Sequence, residues 1–121
     1  MPTYEWLVEE QPRIQQLAMQ ALNLLAELHA DAGDLASAVG AVEQAMSVAD
    51  GPCEELYRTR IRIEHRFGRN RAALATYAEL SSQLAWDMPD GSGEGPDEET
   101  EALMADVRAA LYGEQRAVGA R

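Results

Sequence analysis

The sequence contains no lysine and a single cysteine, and both features restrict what the chain can be. Because Cys53 has no second cysteine to pair with, an internal disulfide is impossible, and a reduced, cytoplasmic setting is the simplest interpretation. All ten basic residues are arginine, against 21 acidic residues, so the formal net charge is −11. Neutralising phosphate requires a positive surface, so we expect the domain to bind nucleic acid poorly.

Aromatic residues and long apolar runs are also scarce. Aromatic residues make up 6% of the chain, whereas apolar residues make up 46% and are mostly alanine and leucine, a mixture that favours helix over sheet. No apolar run approaches the roughly 20 residues of a membrane helix. The first ten residues carry three glutamates and no basic residue, unlike a signal peptide. A length of 121 residues suits one domain with one core.

Residue patterns typical of catalytic, metal and cofactor sites are missing too. His29 and His65 are the only histidines, and neither has a second metal ligand at helical spacing. The glycine-rich segment 91–96 lacks the lysine and the preceding strand of a phosphate-binding loop. No Ser-His-Asp order or Cys-His dyad is visible. We therefore predict that the chain is not an enzyme and has no catalytic, metal or cofactor site.

Apolar residues recur at helical spacing along most of the chain. The predicted helices span residues 13–32, 35–49, 53–67, 70–86 and 98–112. A further short helix is predicted from about residue 4, either separate from the first long helix or joined to it at a kink. The apolar stripe of the first long helix comprises Ile14, Leu17, Ala18, Ala21, Leu24, Leu25 and Leu28. Pro12 suits the first turn of this helix.

Glycine and short polar residues mark the helix ends. Gly33 and Gly68 are predicted to end the first and third long helices. The predicted N-caps are Asp34, Asn70, and Asp97 or a neighbour. Residues 87–97 read as an internal acidic loop rich in glycine and proline, and residues 113–121 as a tail that frays.

Two helix pairs repeat along the chain with an offset of 35 residues, which places Gly68 on Gly33 and Ala73 on Ala38. A helix-pair period near 34 residues is typical of tetratricopeptide repeats. The glycine permits a tight turn, and the small alanine lets paired helices approach closely. We predict an all-α fold of tetratricopeptide-like antiparallel helix pairs, with two repeats plus flanking N- and C-terminal helices that act as caps.

Six of the ten arginines lie within the 14 residues from Arg58 to Arg71. One interpretation is a solvated helix face that balances the acidic remainder of the chain. The other is a basic strip that binds an acidic peptide, or the acidic segment 87–101 of the same chain. Tyrosine and arginine are typical of binding hot spots, although core packing remains an alternative role for the tyrosines. The candidate partner-binding groove comprises Tyr57, Arg58, Arg62, Arg66, Arg69 and Tyr77.

Several short motifs occur in a particular order. They include Tyr4-Glu5-Trp6, Glu54-Glu55-Leu56-Tyr57-Arg58, the stretch from Gly68-Arg69 to Leu80, and Pro96-Asp97-Glu98-Glu99-Thr100. Over residues 4–112 this order resembles the bacterial transcriptional activator domain, a tetratricopeptide-like helical domain of Streptomyces antibiotic regulatory protein-type regulators and related actinobacterial proteins. The chain departs from that pattern at Trp86-Asp87-Met88, where a longer acidic loop precedes the last helix, and at Asp50-Gly51-Pro52.

The resemblance implies a non-catalytic protein-interaction and oligomerisation domain, with the chain as the C-terminal part of an actinobacterial transcriptional regulator. In such regulators a preceding winged-helix domain, which this sequence does not include, contacts DNA. The implied partners are a second copy, giving a dimer, a neighbouring domain of the full-length chain, or the transcription machinery, with no direct contact to nucleic acid or membrane. The alternative is a helix-repeat scaffold module that binds a peptide or protein partner and is unrelated to transcription.

Overall fold

The computed structural model describes residues 3–49, 51–87 and 95–119, which contain five α-helices and no strand. The helices are α1 (Thr3–Asp31), α2 (Leu35–Val48), α3 (Glu54–Arg66), α4 (Asn70–Asp87) and α5 (Glu98–Gly119). The chain divides into two compact units, Met1–Leu56 and Tyr57–Arg121. The predicted all-α class is confirmed. Most of the predicted loop 87–97, namely residues 88–94, lies outside the described residues.

The turn between α1 and α2 is built around a left-handed glycine. Gly33 has φ +80°, which a residue with a Cβ adopts only at a cost. The Asp34 N–H donates to the His29 carbonyl at 2.9 Å, and the Gly33 N–H donates to the Ala30 carbonyl at 3.0 Å. The Asp34 carboxylate accepts from the Ser37 N–H at 3.1 Å, so its predicted role as N-cap is confirmed.

The turn between α3 and α4 repeats this arrangement. Gly68 has φ +75°. The Arg69 N–H donates to the Glu64 carbonyl at 2.7 Å, and the Gly68 N–H donates to the His65 carbonyl at 3.0 Å. Each of these four residues lies 35 positions after its counterpart in the first turn. The predicted repeat therefore extends to the individual hydrogen bonds that end the first helix of each pair.

The contact between α1 and α2 is made largely by small side chains. Among the described side chains of these two helices, the buried ones are Ala26, Ala30, Ala38, Ala41, Val42 and Ala45. Ala38 is completely buried, and so is Ala73 at the equivalent position of the second repeat. Small side chains at such positions allow short distances between helix axes, as the repeat pattern predicted.

The large residues of the predicted apolar stripe of α1 lie on a side of the helix that is exposed. Ile14, Leu17 and Leu28 are each more than half exposed, whereas Ala26 and Ala30 on the other side of the helix are buried. Helix α1 carries apolar residues on two opposite sides. Periodicity reveals both sides but does not indicate which one α2 covers.

The second unit has its own core, to which three helices contribute. Its buried cluster consists of Ile61 from α3, Ala73 from α4, and Met104 and Val107 from α5. The partly buried residues packed against it are Leu74, Tyr77, Leu103 and Leu111. Helix α5 is therefore an integral part of this core.

The predicted short N-terminal helix and the first long helix form one helix, α1. It runs without interruption from Thr3, so Pro12 lies inside the helix and not in its first turn. Proline removes one backbone hydrogen bond at such a position. In a helix of 29 residues this loss does not end the helix.

Helix α5 also differs from expectation, since it continues to Gly119 through most of the segment 113–121 that is predicted to fray. Side-chain contacts explain part of this length. The Asn70 amide nitrogen lies 3.5 Å from a Glu114 carboxylate oxygen. The Arg116 guanidinium lies 5.8 Å from the centre of the Tyr112 ring.

The predicted N-cap of α4 requires a correction. Asn70 is the first helical residue and is buried, and its side-chain oxygen lies 2.6 Å from His65 Nδ1. The cap position falls instead on Arg69, whose carbonyl accepts from the Ala73 N–H at 3.1 Å. Asn70 has a local preference for the N-cap position, but its side chain contacts His65 instead.

Candidate interaction surface

The six predicted groove residues all lie in the second unit, on α3, on α4 or in the turn between them. Three of them, Tyr57, Arg58 and Tyr77, are largely engaged within that unit. The other three, Arg62, Arg66 and Arg69, are exposed, and we call them the arginine edge.

Arg58 is held by the acidic start of α5. Its Nη1 lies 2.9 Å from Asp97 Oδ2, and its Nη2 lies 3.5 Å from Glu99 Oε2. The same Nη1 donates to the Thr100 hydroxyl at 3.3 Å. The Arg58 side chain is only 13% exposed, so these charge-assisted contacts lie partly out of water. For this arginine, the structure agrees with the interpretation that the basic strip binds the acidic segment of the same chain.

Asp97 has a second role as the N-cap of α5. Its Oδ1 accepts from the Thr100 N–H at 3.0 Å, so the predicted cap is confirmed. Glu98, Glu99 and Glu101 occupy the first turn, where the helix dipole favours negative charge. One carboxylate therefore starts α5 and also connects that start to α3.

The two tyrosines pack within their unit. Tyr57 is buried, and burial raises the pKa of its hydroxyl. The negative charge of the nearby Glu79 carboxylate raises this pKa further. The Tyr77 hydroxyl donates to Glu101 Oε1. The Arg108 guanidinium lies 5.3 Å from the centre of the Tyr77 ring, a cation–π contact. In this conformation both rings have structural roles.

The three arginines of the arginine edge are exposed. Arg62 and Arg66 are four residues apart and therefore share one face of α3, while Arg69 follows in the turn before α4. Arg62 Nη2 donates to the Thr59 hydroxyl at 3.2 Å, which orients its side chain. Binding of an acidic partner at this edge stays a prediction.

The sequence did not predict a buried polar contact between α3 and α4. Glu64 is 5% exposed, and its Oε1 accepts from the Thr76 hydroxyl at 2.6 Å. Burial raises the pKa of Glu64, while the Thr76 hydrogen bond and the nearby Arg60 guanidinium act in the opposite direction. A signal was available, because Glu64 follows the buried Tyr57 and Ile61 at helical spacing.

A second unforeseen feature is the exposed apolar side of α1. We call it the outer face, and it comprises Ile14, Leu17, Ala21, Leu24, Leu25 and Leu28. Its five large residues are between 41% and 58% exposed. Single exposed leucines are ordinary, but several on one side of one helix form a patch typical of an interaction site.

Small-ligand features are modest in the described part of the chain. A cavity of about 230 Å³ lies beside Cys53 and Pro12, below the roughly 300–1,000 Å³ typical of ligand sites. Among the described residues, no group of three or more histidine, cysteine or acidic side chains is placed to hold a metal ion. None of the described helices is both long and apolar enough to span a bilayer.

Comparison with known families assigns the chain. The family model described as the bacterial transcriptional activator domain matches residues 1–108. The chain belongs to this family. The match confirms the resemblance to the bacterial transcriptional activator domain, which is a regulatory, non-catalytic domain family. The comparisons with curated proteins and with solved structures gave no significant match.

Proposed function

We propose that the chain is a protein-interaction and oligomerisation domain, forming the C-terminal part of an actinobacterial transcriptional regulator in the cytoplasm. The observation that carries this proposal is the family match over residues 1–108. The net charge of −11 supports assigning DNA contact to a different domain of the regulator. The proposed partners are a second copy, a neighbouring domain of the regulator, or the transcription machinery.

For an acidic partner we propose the arginine edge as the contact surface. Arg58, on the same helix, shows how such a contact is made, because it holds Asp97 and Glu99 together. A partner with similarly spaced carboxylates would meet Arg62 and Arg66, which are both exposed residues on one face of α3. Such contacts would provide specificity and faster association more than high affinity.

A reporter experiment tests the role in transcription. The chain is fused to a heterologous DNA-binding domain whose operator lies upstream of a weak promoter, and reporter output is compared with that of the DNA-binding domain alone. We expect higher output from the fusion, and a loss of the increase in the variant Arg62→Glu/Arg66→Glu. The variant Gln44→Glu/Ser47→Glu adds negative charge at two exposed positions of α2, outside the arginine edge, and should retain the increase. A folded fusion with no effect on output would contradict the role in transcription.

The second candidate function is a helix-repeat scaffold module unconnected to transcription. The exposed arginine edge supports it, because guanidinium groups recognise carboxylates whatever the cellular role of the partner. Binding of an acidic peptide without any change in reporter output would favour this alternative.

A further inference from the structure

The two apolar sides of α1 differ in the size of their residues, and the side with the larger residues is the exposed one. Within the first unit, α2 covers a side on which the buried residues are Ala26 and Ala30, whereas the larger leucines and isoleucine of the outer face are exposed. Burying large aliphatic side chains provides more hydrophobic stabilisation than burying alanine. The outer face is therefore suited to a contact made in addition to the fold of this unit.

The charge pattern indicates which partner suits this face. From Ile14 to Ala26 there are thirteen residues without a charged side chain, the longest such stretch in the sequence. Elsewhere, a net charge of −11 opposes the approach of two identical chains. This stretch lets two copies meet without bringing acidic side chains together.

The spacing of the outer face is that of a helix–helix seam. Ile14, Leu17, Ala21, Leu24 and Leu28 follow one another at alternating intervals of three and four residues. Ala21 stands at the middle of this series and is exposed. A small residue at the centre with large residues on both sides allows two such helices to cross closely.

We propose that the outer face is a homodimer interface, in which the α1 helices of two copies pack antiparallel with Ala21 near the two-fold axis. A two-fold interface must be complementary to itself. Arg13 precedes the uncharged stretch and Glu27 follows it. Antiparallel packing brings the Arg13 end of one protomer to the Glu27 end of its partner, whereas parallel packing would bring like charges together. The inference rests on the proposed oligomerisation function and assigns it to a surface.

The dimensions of the face predict a weak dimer. At about 1.5 Å per residue, Ile14 and Leu28 lie roughly 21 Å apart along the helix. A single helix pair of this length falls at or below the low end of the roughly 1,200–2,000 Å² buried in stable complexes. The monomer–dimer equilibrium should therefore lie in the micromolar range, where the cellular concentration of the protein controls it.

Sedimentation equilibrium over the micromolar range provides the first test. We expect a reversible dimer for the wild type, and a dissociation constant at least about tenfold higher for Leu17→Gln/Leu24→Gln, because a face desolvated in the dimer becomes polar. Both positions are exposed, so circular dichroism should show unchanged helicity. Tyr112→Gln is the matched control, since Tyr112 is a large residue on α5 that is 63% exposed.

Charge exchange tests the antiparallel orientation. Arg13→Glu and Glu27→Arg should each weaken the dimer by a few-fold, and the double variant should restore it. The two positions are 14 residues apart, or about 21 Å along α1, so restoration within one helix is excluded. Failure of the double variant to restore the dimer would overturn the antiparallel arrangement.

A wild-type chain that remains monomeric throughout the range would overturn the interface. So would a dimer that Leu17→Gln/Leu24→Gln leaves unchanged, or that Tyr112→Gln weakens equally. The test of the interface and the test of the proposed function can fail independently. A monomer whose reporter fusion still raises transcription refutes only the interface, whereas a dimer that loses affinity as expected but has no reporter effect refutes only the role in transcription.

Discussion

Arg58 and Asp97 lie 39 residues apart in the sequence, yet a guanidinium nitrogen of Arg58 is 2.9 Å from an Asp97 carboxylate oxygen. The contact joins the first turns of α3 to the residue that caps α5. Asp97 also accepts the Thr100 N–H, so the ion pair and the cap depend on one side chain. The start of α5 is thus fixed by local and tertiary interactions together.

Substitution of Asp97 can separate these two interactions. Asp97→Ala removes both, and we expect it to lower the free energy of unfolding by about 1–3 kcal/mol. Asp97→Asn keeps an oxygen that can cap the Thr100 N–H but loses the charge that faces Arg58, so its loss should be smaller. Urea denaturation of the three proteins measures the order. Equal stability of Asp97→Ala and the wild type would contradict both roles.

The buried carboxyl of Glu64 should make stability depend on pH. Because burial raises its pKa in the folded protein, the folded state binds the proton more tightly than the unfolded state. This contribution is fully present below the ordinary Glu pKa of about 4.3 and is lost as the pH rises through the raised pKa.

We expect Glu64→Gln to remove this dependence while preserving an acceptor for the Thr76 hydroxyl. The measurement is the free energy of unfolding of both proteins across mildly acidic to neutral pH. The other carboxyl groups are common to the two proteins, so the difference between the curves reports Glu64. Parallel curves would show that the pKa of Glu64 is the same in the folded and the unfolded state.

Replacing Gly68 and Gly40 with alanine should change the free energy of unfolding in opposite directions. Gly68 has φ +75°, and Gly68→Ala should lower the free energy of unfolding by about 1–2 kcal/mol through backbone strain alone, since a Cβ there would meet no atom within 4 Å. Gly40 lies inside α2 with equally open surroundings, and Gly40→Ala should raise stability by up to about 1 kcal/mol. Thermal denaturation of both variants checks the signs. Stabilisation by Gly68→Ala would be inconsistent with the left-handed turn.

The arginine edge should bind acidic peptides in a salt-dependent way. A labelled peptide with the sequence of residues 95–101 is a suitable probe, because the segment that contacts Arg58 lies within it. In fluorescence anisotropy, Arg62→Glu should weaken binding, and added salt should weaken binding to the wild type. Gln44→Glu/Ser47→Glu, at exposed positions of α2, is the control for net charge. The edge would be ruled out as the binding site if Arg62→Glu and the wild type bound equally well.

Several local features of the fold could be predicted because neighbouring residues specify them. Gly33 and Gly68 end their helices through a backbone conformation that glycine adopts at little cost. Asp34 and Asp97 cap α2 and α5 through bonds that span three residues. Asn70 has the same capping preference, but a contact with His65 engages its side chain instead.

The candidate surface was less predictable, because it depends on which sides of the helices become covered. Spacing placed Arg58, Arg62 and Arg66 on one face, but only the position of α5 determines that Arg58 is largely covered while the other two are exposed. The buried Glu64 was missed because a charged residue between arginines suggests a solvated helix face. Its partner Thr76 lies on the next helix, so no local pattern on α3 reveals that contact.

By itself, the sequence determined the helical type of the elements, the glycine turns and the 35-residue repeat. These features depend on backbone preferences and on side chains a few residues apart. Only the tertiary structure decided which apolar side of α1 is buried and that Arg58 binds Asp97. Both outcomes arise from contacts between distant segments, whose free energy depends on packing and desolvation rather than on local sequence.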